Sequence, residues 1–240
     1  NIHADYATYE IQFGHITRPT HNNTSWDMAR WEMPAQKWAD LSESHYGVAV
    51  LNDCKYGYKI KHNVIDLALL RSLRYPGPVL VRDEDVQPGQ PHDGFTDQCD
   101  HQFTYSLYPH AGGFPAGDVI RSAYELNQPF YQIKTEPGPG FLPPEKWFFK
   151  TDAENIIVEA IKKAEESDDL VIRLYESERS HTSMWLECAW EIKKAWQVNL
   201  LERPIKILPA TNNRLHLTFK PFEIKTIKIQ FSPVPLTDEN

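Results

Sequence analysis

Runs of apolar residues along the chain predict a protein built mainly of β-strands. The clearest is the continuous run at residues 48–51, which is typical of a strand covered on both faces and leads into the turn residues Asn52 and Asp53. A second run at residues 64–70 predicts another strand, with residues 58–63 as a polar connection between the two. Strand-like alternation also occurs at residues 7–13, 103–108, 184–190, 215–219 and 227–231.

Two segments interrupt this β pattern. Residues 18–27 are polar and contain Pro19, so they are predicted to form a loop. Residues 119–127 carry apolar side chains on one helical face, with Asp118 placed to cap the start and Pro129 to end the element. We therefore expect a short helix there, and we expect the strand at residues 103–108 to stop before it, at residues 109–110.

The sequence of residues 155–175 is compatible with two structures, a helix and a β-hairpin. Apolar residues recur at helical spacing among lysines and glutamates in residues 155–166, which favours a helix. An acidic, turn-like run at residues 165–169 then leads into the strand pattern at residues 170–175, which favours a β-hairpin. Local pattern alone leaves both alternatives open.

Proline and glycine mark the predicted boundaries along the chain. The predicted organisation is a first part at residues 1–136, a Pro/Gly-rich seam at 137–152, a second strand-rich part at 153–232 and a tail at 233–240. The first part contains a long connection at residues 71–102; loops of more than about 15 residues are usually functional or disordered. We expect residues 79–94, its middle, to be mobile.

Composition narrows the classes of function. The net charge is -8 and the 25 Lys and Arg form no basic cluster, which argues against a nucleic-acid partner. No apolar run approaches the roughly 20 residues that span a bilayer, which argues against a membrane partner. The three cysteines form no disulfide pattern and fit a reducing compartment. The chain starts at Asn1 and strand alternation begins soon after, so we expect the C-terminal part of a longer polypeptide.

Motifs for catalysis or metal binding are missing from the sequence: we find no glycine-rich phosphate loop, no Cys-x-x-Cys and no nucleophile elbow. The ten histidines are scattered, so no metal site is expected in this chain. Asp27 and Asp53 lie in loops rich in hydrogen-bonding and aromatic residues, a setting in which carboxylates bind sugar hydroxyls. Trp26, Trp31 and Trp38 could stack on sugars, but in a β domain they favour packing. Their exposure decides between the two.

An ordered series of motifs resembles the C-terminal β region of glycoside hydrolase family 38 α-mannosidases, in particular the cytosolic and vacuolar type. The series extends over nearly the whole chain and is therefore more specific than any single motif. Its members are RPTHNNTSWD (18–27), KWADLSE (37–43), LNDCKYG (51–57), LLRS (69–72), YSLYPH (105–110), AYELN (123–127), SDDL (167–170), RLYE (173–176) and FKPFEIK (219–225).

The resemblance implies a mainly β fold, a β-supersandwich that is a mutarotase-like antiparallel sandwich with a few short helices. It favours the hairpin over the helix at residues 155–175. It also implies that catalysis takes place in a separate N-terminal domain, where one aspartate is the nucleophile, another is the acid/base, and a divalent metal, zinc or cobalt, binds the sugar. No catalytic residue, metal ligand or cofactor of this chain matches that family pattern, so the chain alone is expected to be inactive.

The resemblance places this chain at the wall of the mannose site. Its expected partners are the N-terminal catalytic domain and a mannose-containing oligosaccharide, in the cytoplasm or alternatively the vacuole or lysosome; homo-oligomerisation is left open. The candidate substrate-binding residues are Asn52, Asp53, Lys55, Arg71 and His101. Two alternatives are a stand-alone carbohydrate-binding β-sandwich module without catalysis and a purely structural packing domain.

Overall fold

The computed structural model describes residues 1–73, 95, 97–136, 138 and 143–232. Residues 79–94, part of the seam at 137–152 and the tail at 233–240 lie outside the described residues. The chain forms two compact units, which are described separately. The first comprises Asn1–Ile11 and Ile16–Phe130, and the second comprises Gln12–His15 and Tyr131–Asn240.

The first unit contains two sheets. The strands of the larger sheet are β1 (Tyr6–Ile11), β2 (Gly14–Pro19), β4 (Trp38–Ser42), β5 (Tyr46–Asn52) and β8 (Tyr105–Ala111), and those of the smaller sheet are β3 (Met33–Pro34), β6 (Gly57–Lys61) and β7 (Val64–Leu67). The spatial orders are β2-β1-β4-β5-β8 and β3-β6-β7. The helices are α1 (Ser25–Met28), a 3-10 helix (Phe114–Gly117) and α2 (Val119–Asn127).

The larger sheet of the first unit is covered on both faces. Tyr9 and Leu41 pack with Ile60 of the smaller sheet in one buried cluster. Trp38 belongs to a second cluster with residues of α2 and stacks on Phe114 with the ring centroids 4.7 Å apart. This arrangement confirms that the apolar run in β5 is a strand buried on both sides.

The predicted connection at residues 58–63 is wrong, because β6 lies there and pairs with β7. Tyr58 and Ile60 alternate into the core with 0% and 2% exposure, while Lys59 and Lys61 point away from it and give the segment its polar character. The hairpin turn is only two residues long. It holds His62 at a φ of 53°, in the left-handed region.

Two further boundaries and one helix cap differ from prediction. Strand β8 continues through Pro109, since an edge strand needs ladder hydrogen bonds on one side only. Residues 18–27 include the end of β2 and most of α1 rather than a continuous loop. Helix α2 has the predicted bounds, but Asp118 makes no capping hydrogen bond. Asp118 joins the 3-10 helix to α2 in the left-handed conformation, and its carboxylate pairs with Arg121 at 3.3 Å.

The second unit is a two-sheet sandwich. Its strands are β9 (Phe149–Thr151), β10 (Ile156–Lys163), β11 (Leu170–Glu176), β12 (Thr182–Cys188), β13 (Ile192–Val198), β14 (Pro204–Leu208), β15 (Ala210–Thr211), β16 (Arg214–Phe219) and β17 (Ile224–Phe231). The spatial orders are β10-β11-β17-β13-β14 and β15-β16-β12-β9. Side chains of both sheets, among them Ile172, Ile227, Leu186 and Leu215, fill one core.

The hairpin at residues 155–175 is confirmed. Strands β10 and β11 are antiparallel, with Ile161 opposite Ile172 and Lys163 opposite Leu170, and a register shift lies between Val158 and Ala160. The mainly β, antiparallel sandwich fold is likewise confirmed. Among the helices of the described residues, none is long and apolar enough to cross a membrane.

Candidate functional site

The turn after β5 is organised by Asn52, which has no exposed surface. Its side-chain amide donates hydrogen bonds to the Gln36 carbonyl at 2.9 Å and to the Tyr58 hydroxyl at 2.6 Å, while its oxygen accepts from the Lys55 backbone N–H. Asn127 of α2 donates to the Asn52 carbonyl at 3.0 Å. Asn52 therefore fixes the turn from inside and presents no surface to a ligand.

Asp53 is the first exposed residue of this turn. Both carboxylate oxygens lie 3.0 Å from the backbone N–H of Thr104, and the Asp53 N–H donates to the Thr104 carbonyl. Hydrogen bonds from the Cys54 thiol and from the Thr104 amide lower the pKa of Asp53 below its ordinary value. The group is therefore a carboxylate at neutral pH, held at the start of β8 and open to solvent.

Lys55 lies over an aromatic ring. Its ammonium group is 4.6 Å from the centroid of Phe103, within the range of a cation–π contact. Sequence analysis missed both Phe103 and Thr104, because they are about fifty residues away in sequence. The pairing of Asn52 with Tyr105 in the β5–β8 ladder would have placed Thr104 opposite Asp53, had that pairing been known.

Arg71 and His101 line one open cleft of about 600 Å³. The His101 ring Nε2–H donates to the Asp97 carbonyl at 2.9 Å, and the Gln98 amide donates to the Ser72 hydroxyl at 2.6 Å. The first bond closes residues 97–101 into a turn, and the second holds this turn against residues 70–72. The remaining lining residues are Leu70, Cys99 and Asp100.

The structure thus arranges the five candidate residues in two groups. The first group is the turn after β5, with Asn52, Asp53 and Lys55, and the second is the cleft, with Arg71 and His101. Thr104 connects the two groups along the chain, because it binds Asp53 and follows His101 by three residues. A carboxylate accepts hydrogen bonds from hydroxyl groups, and an ammonium or a guanidinium group donates hydrogen bonds to them. Within the described ranges, no three His, Cys, Asp or Glu side chains converge to hold a metal ion.

The other singled-out residues have different settings. Asp27 is 6% exposed and caps α1 together with Thr24, so its carboxylate points into the unit. Trp38 is 1% exposed, which confirms the packing expectation for that residue. For Trp26 and Trp31 the packing expectation is wrong: each is 78% exposed.

Comparison with known proteins places this architecture in a family. The family model "Glycosyl hydrolases family 38 C-terminal domain" matches residues 1–79, and "Glycosyl hydrolases family 38 C-terminal beta sandwich domain" matches residues 155–227. Together the two models account for more than half of the chain. The chain belongs to the C-terminal region of glycosyl hydrolase family 38.

Relatives of this family 38 region are similar along nearly its whole length. It is 41% identical to alpha-mannosidase 2C1 of Mus musculus and 40% identical to that of Homo sapiens, with 98% of this chain and 21% of each relative covered. The chain therefore spans about a fifth of the relatives it matches. An alpha-mannosidase structure from Enterococcus faecalis V583 superposes with a TM-score of 0.72 at 19% identity, covering 95% of this chain and 24% of that one, which supports the fold.

Proposed function

We propose that this chain is the C-terminal β region of a retaining α-mannosidase, and that it helps to shape the active site of a separate N-terminal catalytic domain. The observation that carries the proposal is the match of 98% of the chain, at 40% to 41% identity, to alpha-mannosidase 2C1 of two mammals. The substrate would be a terminal α-linked mannose of an oligosaccharide.

In this proposal the bond-breaking groups belong to the catalytic domain. Retention needs two carboxyl groups about 5 to 5.5 Å apart, one attacking the anomeric carbon and the other serving as acid and then as base. The divalent metal of the enzyme, zinc or cobalt, would also bind there. This chain would supply a rigid wall that orients the sugar.

The exposed members of the candidate site suit that role. Asp53 is ionised and fixed by Thr104, Lys55 is held over Phe103, and Arg71 shares its cleft with His101. Each can make a charge-assisted hydrogen bond to a sugar hydroxyl. Asn52 would contribute indirectly, by holding the turn from which Asp53 and Lys55 project.

The state of the three cysteines supports a cytoplasmic location. Cys54, Cys99 and Cys188 are all free thiols, and the first two are exposed. Exposed free thiols persist in a reducing compartment and are uncommon in secreted proteins. This supports the cytoplasmic assignment over the vacuolar or lysosomal one.

Replacement of the matching segment in a relative tests the proposal. In mouse alpha-mannosidase 2C1, the segment aligned with this chain is deleted in one protein and replaced by this chain in another. We expect the deletion protein to be inactive, the chain alone to be inactive, and the chimaera to hydrolyse an aryl α-mannoside with retained configuration at the anomeric carbon. The readout is initial rate per folded molecule, with the product anomer identified by NMR.

A folded but inactive chimaera would contradict the proposal. Folding is judged from a single monodisperse species and from a melting temperature close to that of the unaltered mouse enzyme. Mannosidase activity of the 240-residue chain alone would contradict the assignment of catalysis to the N-terminal domain.

A further inference from the structure

The apolar core of the first unit reaches the surface in a groove between strands β7 and β8. Each of these strands is the edge of its own sheet. The groove has a volume of about 310 Å³, and Ile65 of β7 and Leu107 of β8 line its two sides. Leu41 and Val50, which belong to the buried cluster between the two sheets, line it as well. We call this feature the β7–β8 groove.

Strand pairing places the apolar side chains of the larger sheet on one face of the groove. Tyr46, Val48 and Val50 alternate along β5, so their side chains point to the same side. Leu107 lies directly opposite Val50, and Leu41 lies directly opposite Val48. Val50 is 6% exposed at the bottom of the groove, whereas Tyr46 and Leu107 are 48% and 69% exposed at its rim. These residues therefore form one continuous apolar wall.

The lining of the groove indicates the chemistry of its occupant. Among the described residues that line it, the polar ones are Asn1 and Asn63, and none is charged. The Asn63 amide donates to the side-chain oxygen of Asn1 at 3.2 Å. Aliphatic and aromatic side chains without charges are typical of the centre of a protein interface. The β7–β8 groove therefore suits apolar side chains of a polypeptide better than a polar oligosaccharide.

The first residues of the chain are fixed at this groove. Ile2 lines it, is 8% exposed and belongs to the same buried cluster as Leu41. The His3 backbone N–H donates to the Glu43 carboxylate at 2.5 Å. Consecutive Cα atoms lie about 3.8 Å apart, so a residue joined to the N-terminal side of Asn1 must start next to the groove.

We propose that the β7–β8 groove is filled by apolar side chains of the polypeptide segment that precedes position 1 in the full-length enzyme. This inference rests on the proposed function, in which a catalytic domain lies N-terminal to the chain. The chain spans 21% of mouse alpha-mannosidase 2C1 and matches models of C-terminal domains, so most of such an enzyme precedes it. The segment covers the exposed part of the core and attaches the first unit to the rest of the enzyme.

Thiol labelling at position 107 tests whether the groove is filled. Leu107→Cys is combined with Cys54→Ser and Cys99→Ser, which remove the two exposed native thiols. A maleimide should label the new thiol about tenfold more slowly in the mouse chimaera than in the 240-residue chain, because the segment must leave before the reagent enters. The matched control is Leu200→Cys in the second unit, where the leucine is 74% exposed and labelling rates should be equal.

Photo-cross-linking identifies the occupant of the groove. Tyr46 at the rim is replaced by the photoreactive benzoylphenylalanine in the chimaera, and the cross-linked peptides are identified by mass spectrometry after irradiation. We expect a cross-link within one molecule to the mouse peptide directly before position 1. A cross-link between two copies, or to a peptide remote in sequence from position 1, would overturn the inference. Equal labelling of position 107 in the chain and the chimaera would overturn it too, as would equal slowing at positions 107 and 200.

The activity of the same chimaera separates this inference from the proposed function. A chimaera that hydrolyses the aryl α-mannoside while position 107 stays fully accessible would overturn the inference and leave the proposed function intact. A folded but inactive chimaera, with position 107 protected and the expected cross-link formed, would uphold the inference and contradict the proposed function.

Discussion

Replacing Glu176 with alanine is expected to lower the free energy of unfolding of the second unit by about 3 to 5 kcal/mol. Glu176 has no exposed surface. Its carboxylate accepts four hydrogen bonds, from the Asn155 side chain at 2.9 Å, the Glu178 backbone at 2.8 Å, the Ser180 hydroxyl at 3.1 Å and the Phe222 backbone at 3.0 Å. Alanine would remove the acceptor that these four donors share, and the Asn155 amide would keep only its bonds to the Ser180 and Thr182 hydroxyls.

The same carboxylate should make the second unit sensitive to acid. Burial opposes ionisation of Glu176, but the hydrogen bonds from Phe222, Glu178 and Asn155 prevail and hold its pKa below the ordinary value. A lowered pKa in the folded state stabilises the protein above the unfolded-state pKa, and this contribution is lost as the pH falls through the folded-state pKa. The difference in melting temperature between the wild type and Glu176→Gln should therefore narrow with falling pH.

The control for Glu176 lies in the same unit. Glu187 pairs with the exposed Arg214 at 2.8 Å, and Glu187→Ala should cost less than about 1 kcal/mol. Both variants are measured by urea denaturation monitored by hydrogen exchange of β11 and β12 amides. Equal losses for Glu176→Ala and Glu187→Ala would contradict the importance of the buried carboxylate.

His110→Ala should destabilise the first unit by about 3 to 5 kcal/mol. The His110 ring Nε2 lies 2.7 Å from the Asp40 carboxylate, and the two side chains are 3% and 1% exposed. Burial raises the pKa of Asp40, while hydrogen bonds from Ser42 and His110 oppose that rise. Removing the imidazole would leave a buried carboxylate with the Ser42 hydroxyl alone.

Close packing around the His110 imidazole is a second reason to expect that replacing it destabilises the unit. A Cβ on Gly47 would lie 2.3 Å from the His110 ring, and one on Gly117 would lie 2.2 Å from it, so both glycines allow the ring to fit between β5 and the 3-10 helix. Alanine at position 110 would leave a cavity there.

A double-mutant cycle distinguishes the pair from simple loss of packing. Asp40→Ala combined with His110→Ala should cost clearly less than the sum of the two single losses, because the double variant leaves no buried charge. His45→Ala, at an exposed histidine, is the control and should have almost no effect. Additive losses at positions 40 and 110 would show that the two groups do not interact.

Sequence patterns predicted elements with strong local signals and missed those that depend on distant partners. The bounds of α2 followed from its apolar face and Pro129, but Asp118 failed as a cap because the preceding 3-10 helix fixes its backbone. Strand β6 was missed because two lysines alternate with its buried Tyr58 and Ile60. The choice between helix and hairpin at residues 155–175 depended on pairing of β11 with β17, which no local pattern contains.

In the candidate site, too, local features could be predicted from the sequence and features that depend on distant residues could not. The turn position of Asp53 was readable from the sequence, but its bond to Thr104 depends on the register between β5 and β8. The sequence predicted that Asn52 projects outward from the turn. Its side-chain amide instead donates hydrogen bonds to Gln36 and Tyr58 inside the unit. Exposure of Trp26 runs against the usual burial of indoles and could not be predicted from residue type.

The kinetic effect of Arg71→Ala, measured in the mouse chimaera, tests the central claim most directly. A guanidinium bound to a sugar hydroxyl contributes about 1.5 to 3 kcal/mol, so kcat/KM for an aryl α-mannoside should fall roughly ten- to hundredfold with an unchanged melting temperature. Asp53→Asn should act in the same direction. Normal turnover per folded molecule together with a lower melting temperature would show that these residues only stabilise their loops, and would contradict a role for this chain in the wall of the active site.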